Sequence, residues 1–138
     1  MRFRALRPLL ASLSLLPLTA AYCVVVVGQR FDGTWGGSGI LIVVRTNTAT
    51  LSYNCGSGTM NLPANIADDA RFEATGEHIR RGGAAPRPGD VPDRHPAHYA
   101  GRVRGDAMTL TVLLTDMDQT VGTFDLTRGR TPDLLPCP

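Results

Sequence analysis

Four residues carry the chemistry of a metal site: Asp93, His95 and His98, with His78 upstream. A His-x-x-His step can put two imidazoles on one ion, and a carboxylate can complete the shell. Here the step spans Pro96 and falls where a loop meets a strand, so its geometry is not pinned. Two histidines beside arginines read more simply as solvated loop residues. Asp116 and Asp118 have the alternate spacing that opens a calcium loop, but the glycine and closing glutamate of that motif are missing. They read as turn formers. Gly36-Gly37-Ser38-Gly39 is not a nucleophile elbow, because the glycines do not alternate around the serine and no helical segment follows. Glu73 and Glu77 are the only glutamates, and an unbroken strand puts both on one face. Nothing near them marks a cleft, so they do not read as a sugar-cleaving pair. The expectation is therefore a non-enzymatic protein with no cofactor and no bound metal.

The cysteines must be read through their compartment. Arg2, Arg4 and Arg7 precede an apolar run from Pro8 to Ala21 that ends in Leu18-Thr19-Ala20-Ala21. A positive start, an apolar centre and small residues at the end mark an export signal over residues 1–21. Val24-Val25-Val26-Val27 extends the run, so Leu9 to Val27 is nearly long enough to stay as a membrane anchor. Cys23 reads separately as a lipidated cysteine or an incidental one at the end of the signal, and Tyr22 stands where a lipoprotein signal wants a small residue. All these readings place the rest of the chain outside the cytoplasm, secreted or periplasmic, with membrane association through the N-terminus left open. Oxidising surroundings favour a bridge between the remaining pair, Cys55 and Cys137. Neither has a local histidine or a C-x-x-C spacing that would make it a reactive thiol.

All 14 basic residues are arginine. Loss of the signal removes three of them, leaving eleven against 12 acidic residues, so the basicity of the chain belongs to its first segment. The rest are scattered, which excludes nucleic acid as a partner.

The elements that must position any site are short strands. At 138 residues the chain holds one domain, and 15 Gly with 10 Pro favour turns over long helices. Phe31 to Gly37, with the only Trp, reads as the first strand. Gly39 to Arg45 is apolar on both faces. Ala49 to Cys55 alternates, with Ala49, Leu51, Tyr53 and Cys55 inward, and Asn47-Thr48 supplies the turn before it. Gly56-Ser57-Gly58 reads as a turn and Thr59 to Ile66 as a weak strand broken by Pro63. Arg71 to Arg80 places Phe72 and Ala74 on one face. Gly82 to Pro96 reads as the one long loop, and strands resume at Tyr99. Met108, Leu110, Val112 and Leu114 share a face, Asp116-Met117-Asp118 is a hairpin loop, and Gly122 reads as a bulge in the last strand. No segment shows a helical period. The predicted fold is all-β: a small antiparallel meander over residues 31–138 closing into a barrel of about eight short strands, because closure removes the sheet edges.

Gly33-Thr34-Trp35 at the start and Phe124-Asp125-Leu126-Thr127-Arg128 at the end resemble the lipocalin (calycin) pattern. In that family a Gly-x-Trp on the first strand packs under an arginine from the last, closing the barrel floor. The resemblance implies that Trp35 and Arg128 are a structural pair, rather than Trp35 lining a ligand cavity. The exported part also resembles small secreted bacterial proteins with a Gly-Thr-Trp-Gly-Gly start. The chain is shorter than true lipocalins and lacks their helix near the C-terminus, which argues against a large cavity.

Two binding roles follow as expectations. A small apolar molecule would enter the barrel mouth, with Tyr53, Phe72 and Tyr99 chosen as lining residues by parity and aromatic type. Alternatively a protein partner would be held, as by a periplasmic protease inhibitor, through the Gly82–Pro96 loop or the arm before Phe31. That inhibitor family also pairs a small barrel with one disulfide and a Gly-x-Trp-like start.

Overall fold

The computed structural model describes residues 31–137 apart from 64, 65, 67, 68, 83, 84 and 86. The expected export signal over residues 1–21, Cys23 and the arm before Phe31 lie outside the described residues. Eight strands follow in chain order: β1 (Gly33–Gly37), β2 (Ile40–Arg45), β3 (Thr48–Tyr53), β4 (Gly56–Asn61), β5 (Arg71–Arg80), β6 (Asp93–Arg104), β7 (Ala107–Leu114) and β8 (Gln119–Arg128). Each pairs antiparallel with the next, and β8 pairs back to β1, so the sheet is a closed barrel with no free edge. No helix occurs among the described residues.

Alternation decides which residues fill it. Ile40, Ile42 and Val44 of β2 point inward and are buried, while Leu41 and Val43 on its outer face are half-buried. Met108, Leu110, Val112 and Leu114 form one inward row on β7. An eight-stranded barrel is just wide enough for side chains to fill. The middle is so filled, with Ile42, Tyr99, Leu110 and Val112 all at 0% exposure. Each such side chain contributes about 1.5–3 kcal/mol by leaving water.

Several local expectations change. The turn after β3 is Asn54-Cys55, and Gly56-Ser57-Gly58 begins β4 instead of turning the chain. Its glycines face inward, where a Cβ on Gly58 would crowd the Tyr99 hydroxyl at 2.8 Å. They make room for large neighbours. Cys55, expected inward, therefore sits exposed in the turn. The weak strand ends at Asn61, before Pro63. The turn before β3 is Thr46-Asn47, with Thr46 at φ 55°. The long loop is shorter than expected, because β6 starts at Asp93 and includes Pro96. The Pro96 carbonyl accepts from Thr115 N at 3.0 Å, so its backbone faces the β7 side. The β6–β7 ladder begins only at Ala97, so no ladder donor is lost at the proline. The bulge in β8 is there: Val112 pairs Gly122 and Leu113 pairs Thr120, leaving Val121 as the extra residue.

After β8 the chain runs back along the outside of β1. Gly129 N donates to Thr34 O, Asp133 N to Gly37 O, and Gly39 N to Asp133 O. Leu135 N then donates to Asn54 Oδ1 at 2.8 Å, and the strap ends in the Cys55–Cys137 disulfide. Gly36 is glycine because a Cβ there would overlap the Arg130 carbonyl.

Candidate functional site

The two ends of the barrel differ in chemistry. At the end holding the start of β1 and the close of β8, Trp35 is fully buried opposite Arg128. The Arg128 guanidinium lies 4.4 Å from the indole centroid. Its Nη1 donates to Asp32 O at 2.9 Å and its Nε to Asp106 Oδ1 at 3.1 Å. Trp35 Nε1 donates to Phe31 O at 3.1 Å. The Phe31 ring lies 5.4 Å from Trp35 and 5.5 Å from Phe72, so three aromatics fill this end. Phe72 belongs here. Its ring lies across Gly101, where a side chain would overlap it.

The opposite end is bounded by the β1–β2 and β3–β4 turns, the β7–β8 hairpin and the disulfide. It holds a pocket of about 260 Å³ lined by Ser38, Gly39, Tyr53, Asn54, Cys55, His78, Val121 and Phe124. Tyr53 stands between two rings, 5.0 Å from His78 and 5.6 Å from Phe124. None of the described lining residues is an acid, an arginine or a lysine. His78, 4% exposed, has its proton affinity lowered by burial first, then by the charges of Arg80 and His95, with Asp93 opposing. Burial likewise pushes the Tyr53 phenol far above its ordinary range, and the Tyr99 phenol up to about 12. The wall is thus neutral at pH 7. Tyr99 donates from Oη to Glu77 O at 2.8 Å. The Tyr53 hydroxyl interacts electrostatically with that of Tyr99 but lacks hydrogen-bond geometry to any described group. Asn54, whose Oδ1 is taken by Leu135 N, and Ser38 supply polar groups at the rim.

Of the three aromatics chosen from the sequence, Tyr53 lines this pocket, Tyr99 is buried beside it, and Phe72 lies at the other end. Four lining residues are not among the site residues expected from the sequence: Val121, Phe124, Asn54 and Ser38 reach the mouth through β8 with its bulge and through the turns. His78 was visible only as a possible metal ligand.

The histidine step separates. Three residues along a strand reverse the face, so His98 points outward, with Nε2 3.6 Å from Glu73 Oε2. His95 lies at the rim between two carboxylates, Nδ1 2.7 Å from Asp116 Oδ2 and Nε2 3.0 Å from Asp93 Oδ1. It pairs with His78 across β5 and β6. Glu77 bonds Arg94 at 2.8 Å, and Asp118 occupies a left-handed hairpin position with φ 50°.

Fold and site together define an eight-stranded meander barrel with one plugged end and one open mouth, whose described pocket lining carries no acid, arginine or lysine. Compared with family models, curated proteins and solved structures, the chain matches none.

Proposed function

We propose that this chain is an exported, lipocalin-type β-barrel binding module that takes a compact, uncharged, largely apolar molecule at the mouth opposite Trp35. The observation that carries the reading is the mouth pocket: about 260 Å³, with Tyr53, Phe124 and Val121 as apolar wall and no acid, arginine or lysine among the described lining residues. Pockets for drug-sized ligands run from about 300 Å³ upward, so the guest is smaller and sits at the mouth, not in the filled middle. The lipocalin kinship is supported by Trp35 beneath Arg128. Export is supported by the Arg-rich start with its apolar run, and by the Cys55–Cys137 bridge, which suits an oxidising compartment. A binding role is favoured over catalysis because the described lining of the mouth pocket holds no carboxylate, arginine or lysine to work with its one histidine, His78.

Native mass spectrometry of the protein from its own host tests the reading. A co-purifying small molecule that is lost in Tyr53→Ala supports it. Bare protein that also fails to take up small neutral aromatics rejects it. A protein partner is the second reading, favoured by Val91 at 90% exposure on the β5–β6 loop and Leu135 at 67% on the strap. A partner cross-linked at Val91 from host extract, with the mouth empty, would establish that reading instead.

A further inference from the structure

A second site lies outside the barrel, on the face formed by β5, β6 and β7. Arg71 and Arg102 are directly opposite each other in the β5–β6 register, and Arg104 follows two residues along the same face. Like charges placed opposite on neighbouring strands repel. The fold does not relieve this fully. One carboxylate oxygen, Asp69 Oδ1, accepts from both Arg102 Nη2 at 3.3 Å and Arg104 Nε at 3.2 Å. Arg71 has no hydrogen bond or ion pair with any described residue, and Arg102 Nε is buried without a partner. Of the other nearby acids, Asp125 accepts from the Thr109 hydroxyl, and Glu73, which also borders the groove, has Oε2 3.6 Å from His98 Nε2. The arginines border a groove of about 580 Å³ on which the small side chains of Ala100 and Ala107 also open.

We infer that this groove is an oxyanion site that takes a phosphomonoester group, with the remainder of the ligand lying over Ala100 and Ala107. Guanidinium forks match phosphate oxygens two at a time. A dianion placed between Arg71 and Arg102 would turn their mutual repulsion into two attractions and give Arg102 Nε its missing acceptor. A carboxylate carries one charge and two oxygens, and Asp69 already supplies that kind of acceptor. The phosphate could be on a soluble molecule or on a lipid headgroup, and the site chemistry is the same for both.

The test uses the folded, disulfide-intact protein and two probes. In 1H–15N NMR, phenyl phosphate should shift the Nε–H signals of Arg71 and Arg102 and the amides of residues 100–104 saturably, with benzoate weaker and phenol silent at these positions. Arg71→Gln, which removes no hydrogen bond or ion pair among the described residues, should weaken phenyl phosphate about tenfold, the size of one charge-assisted contact. Co-sedimentation with phosphatidic acid vesicles separates the sources: binding there that phenyl phosphate competes away assigns a headgroup, and its absence assigns a soluble ligand. Non-saturable shifts, equal affinity in Arg71→Gln, or shifts centred on the rim arginines Arg80 and Arg94 overturn the inference.

Discussion

At the scale of single residues, Arg128 does the most for the closed end. It covers the indole of Trp35 and bonds both the carbonyl of Asp32 and the carboxylate of Asp106. The stacked cation is worth about 0.5–2 kcal/mol, and the exposure of this side chain, 26%, discounts its ion pair. Arg128→Ala should therefore lower the unfolding free energy by about 2–3 kcal/mol, since one charge-assisted bond to a carbonyl adds to the stack. Urea titration measures this, and Trp35 emission should move to the red as water enters. A loss below about half a kcal/mol, the usual range for ordinary surface positions, would show that the closure rests on the aromatic cluster alone. His95 sets a pH dependence. Its hydrogen bond to Asp116, then the charges of Asp116 and Asp93, raise its proton affinity above the ordinary 6.5, against desolvation and Arg80. The same bond holds Asp116 below its ordinary 3.8. A raised histidine stabilises the fold fully below its unfolded value and loses that contribution as pH rises through the folded value. A depressed aspartate loses its own as pH falls. The pair thus contributes most between the two ordinary values. His78, with a lowered value, works the other way and favours the fold as pH rises. The comparison that isolates His95 is the difference in urea midpoint between wild type and Asp116→Asn. It should be largest near pH 5.5 and shrink through pH 8; a constant difference would mean the clamp does not titrate.

At the scale of elements, β1 is a strand that must be bare on its outer side. The strap after β8 lies against it, held by Gly129 N to Thr34 O and by the two bonds between Asp133 and the Gly37–Gly39 turn. Gly36→Val would drive a side chain into the Arg130 carbonyl and should cost about 1–3 kcal/mol, the usual range for overpacking. Hydrogen exchange gives the sharper readout. The amides of Gly129 and Asp133 should lose protection while those of β6 and β7 keep theirs. Retained protection at Asp133 would mean that the strap can shift without detaching. The Trp-Gly-Gly sequence thus has two causes: the Trp plugs the barrel from inside, and Gly36 admits the strap from outside.

At the scale of the whole molecule, the bridge and the barrel ladder are separate sources of stability. Cys55 and Cys137 are 82 residues apart, and closing a loop of that length is worth about 4 kcal/mol in the chain-entropy picture. Reduction, or Cys137→Ser, should lower the urea-derived stability by up to about 4 kcal/mol. The barrel itself should survive as one cooperative unit, because β1–β8 pairing closes it without the bridge. Unfolding on reduction alone would show that the ladder between β1 and β8 cannot hold the ends together. Since Cys55 and Asn54 also border the mouth, reduction should loosen one side of the proposed pocket.

Much of this protein is local enough to be legible in a string of residues. Period-two alternation marks a strand whatever surrounds it, so the Met108–Leu114 row, the Ala49–Tyr53 row and the all-β class could be read directly, as could the cysteine pair. Trp35 and Arg128 could be matched from a resemblance of their short motifs. Other features depend on what stands across the sheet. Gly56 and Gly58 look like a turn until Tyr99 and His78 are seen to need their space. Pro96 looks like a strand breaker until its backbone is seen to face the side where β7 has ended. His95 and His98 look like a ligand pair until the pleat sends them to opposite faces. The mouth pocket is assembled from residues 38 to 124, and the arginine groove from the pairing of β5, β6 and β7. Their existence follows from register and closure, which are non-local pairings that no single segment encodes.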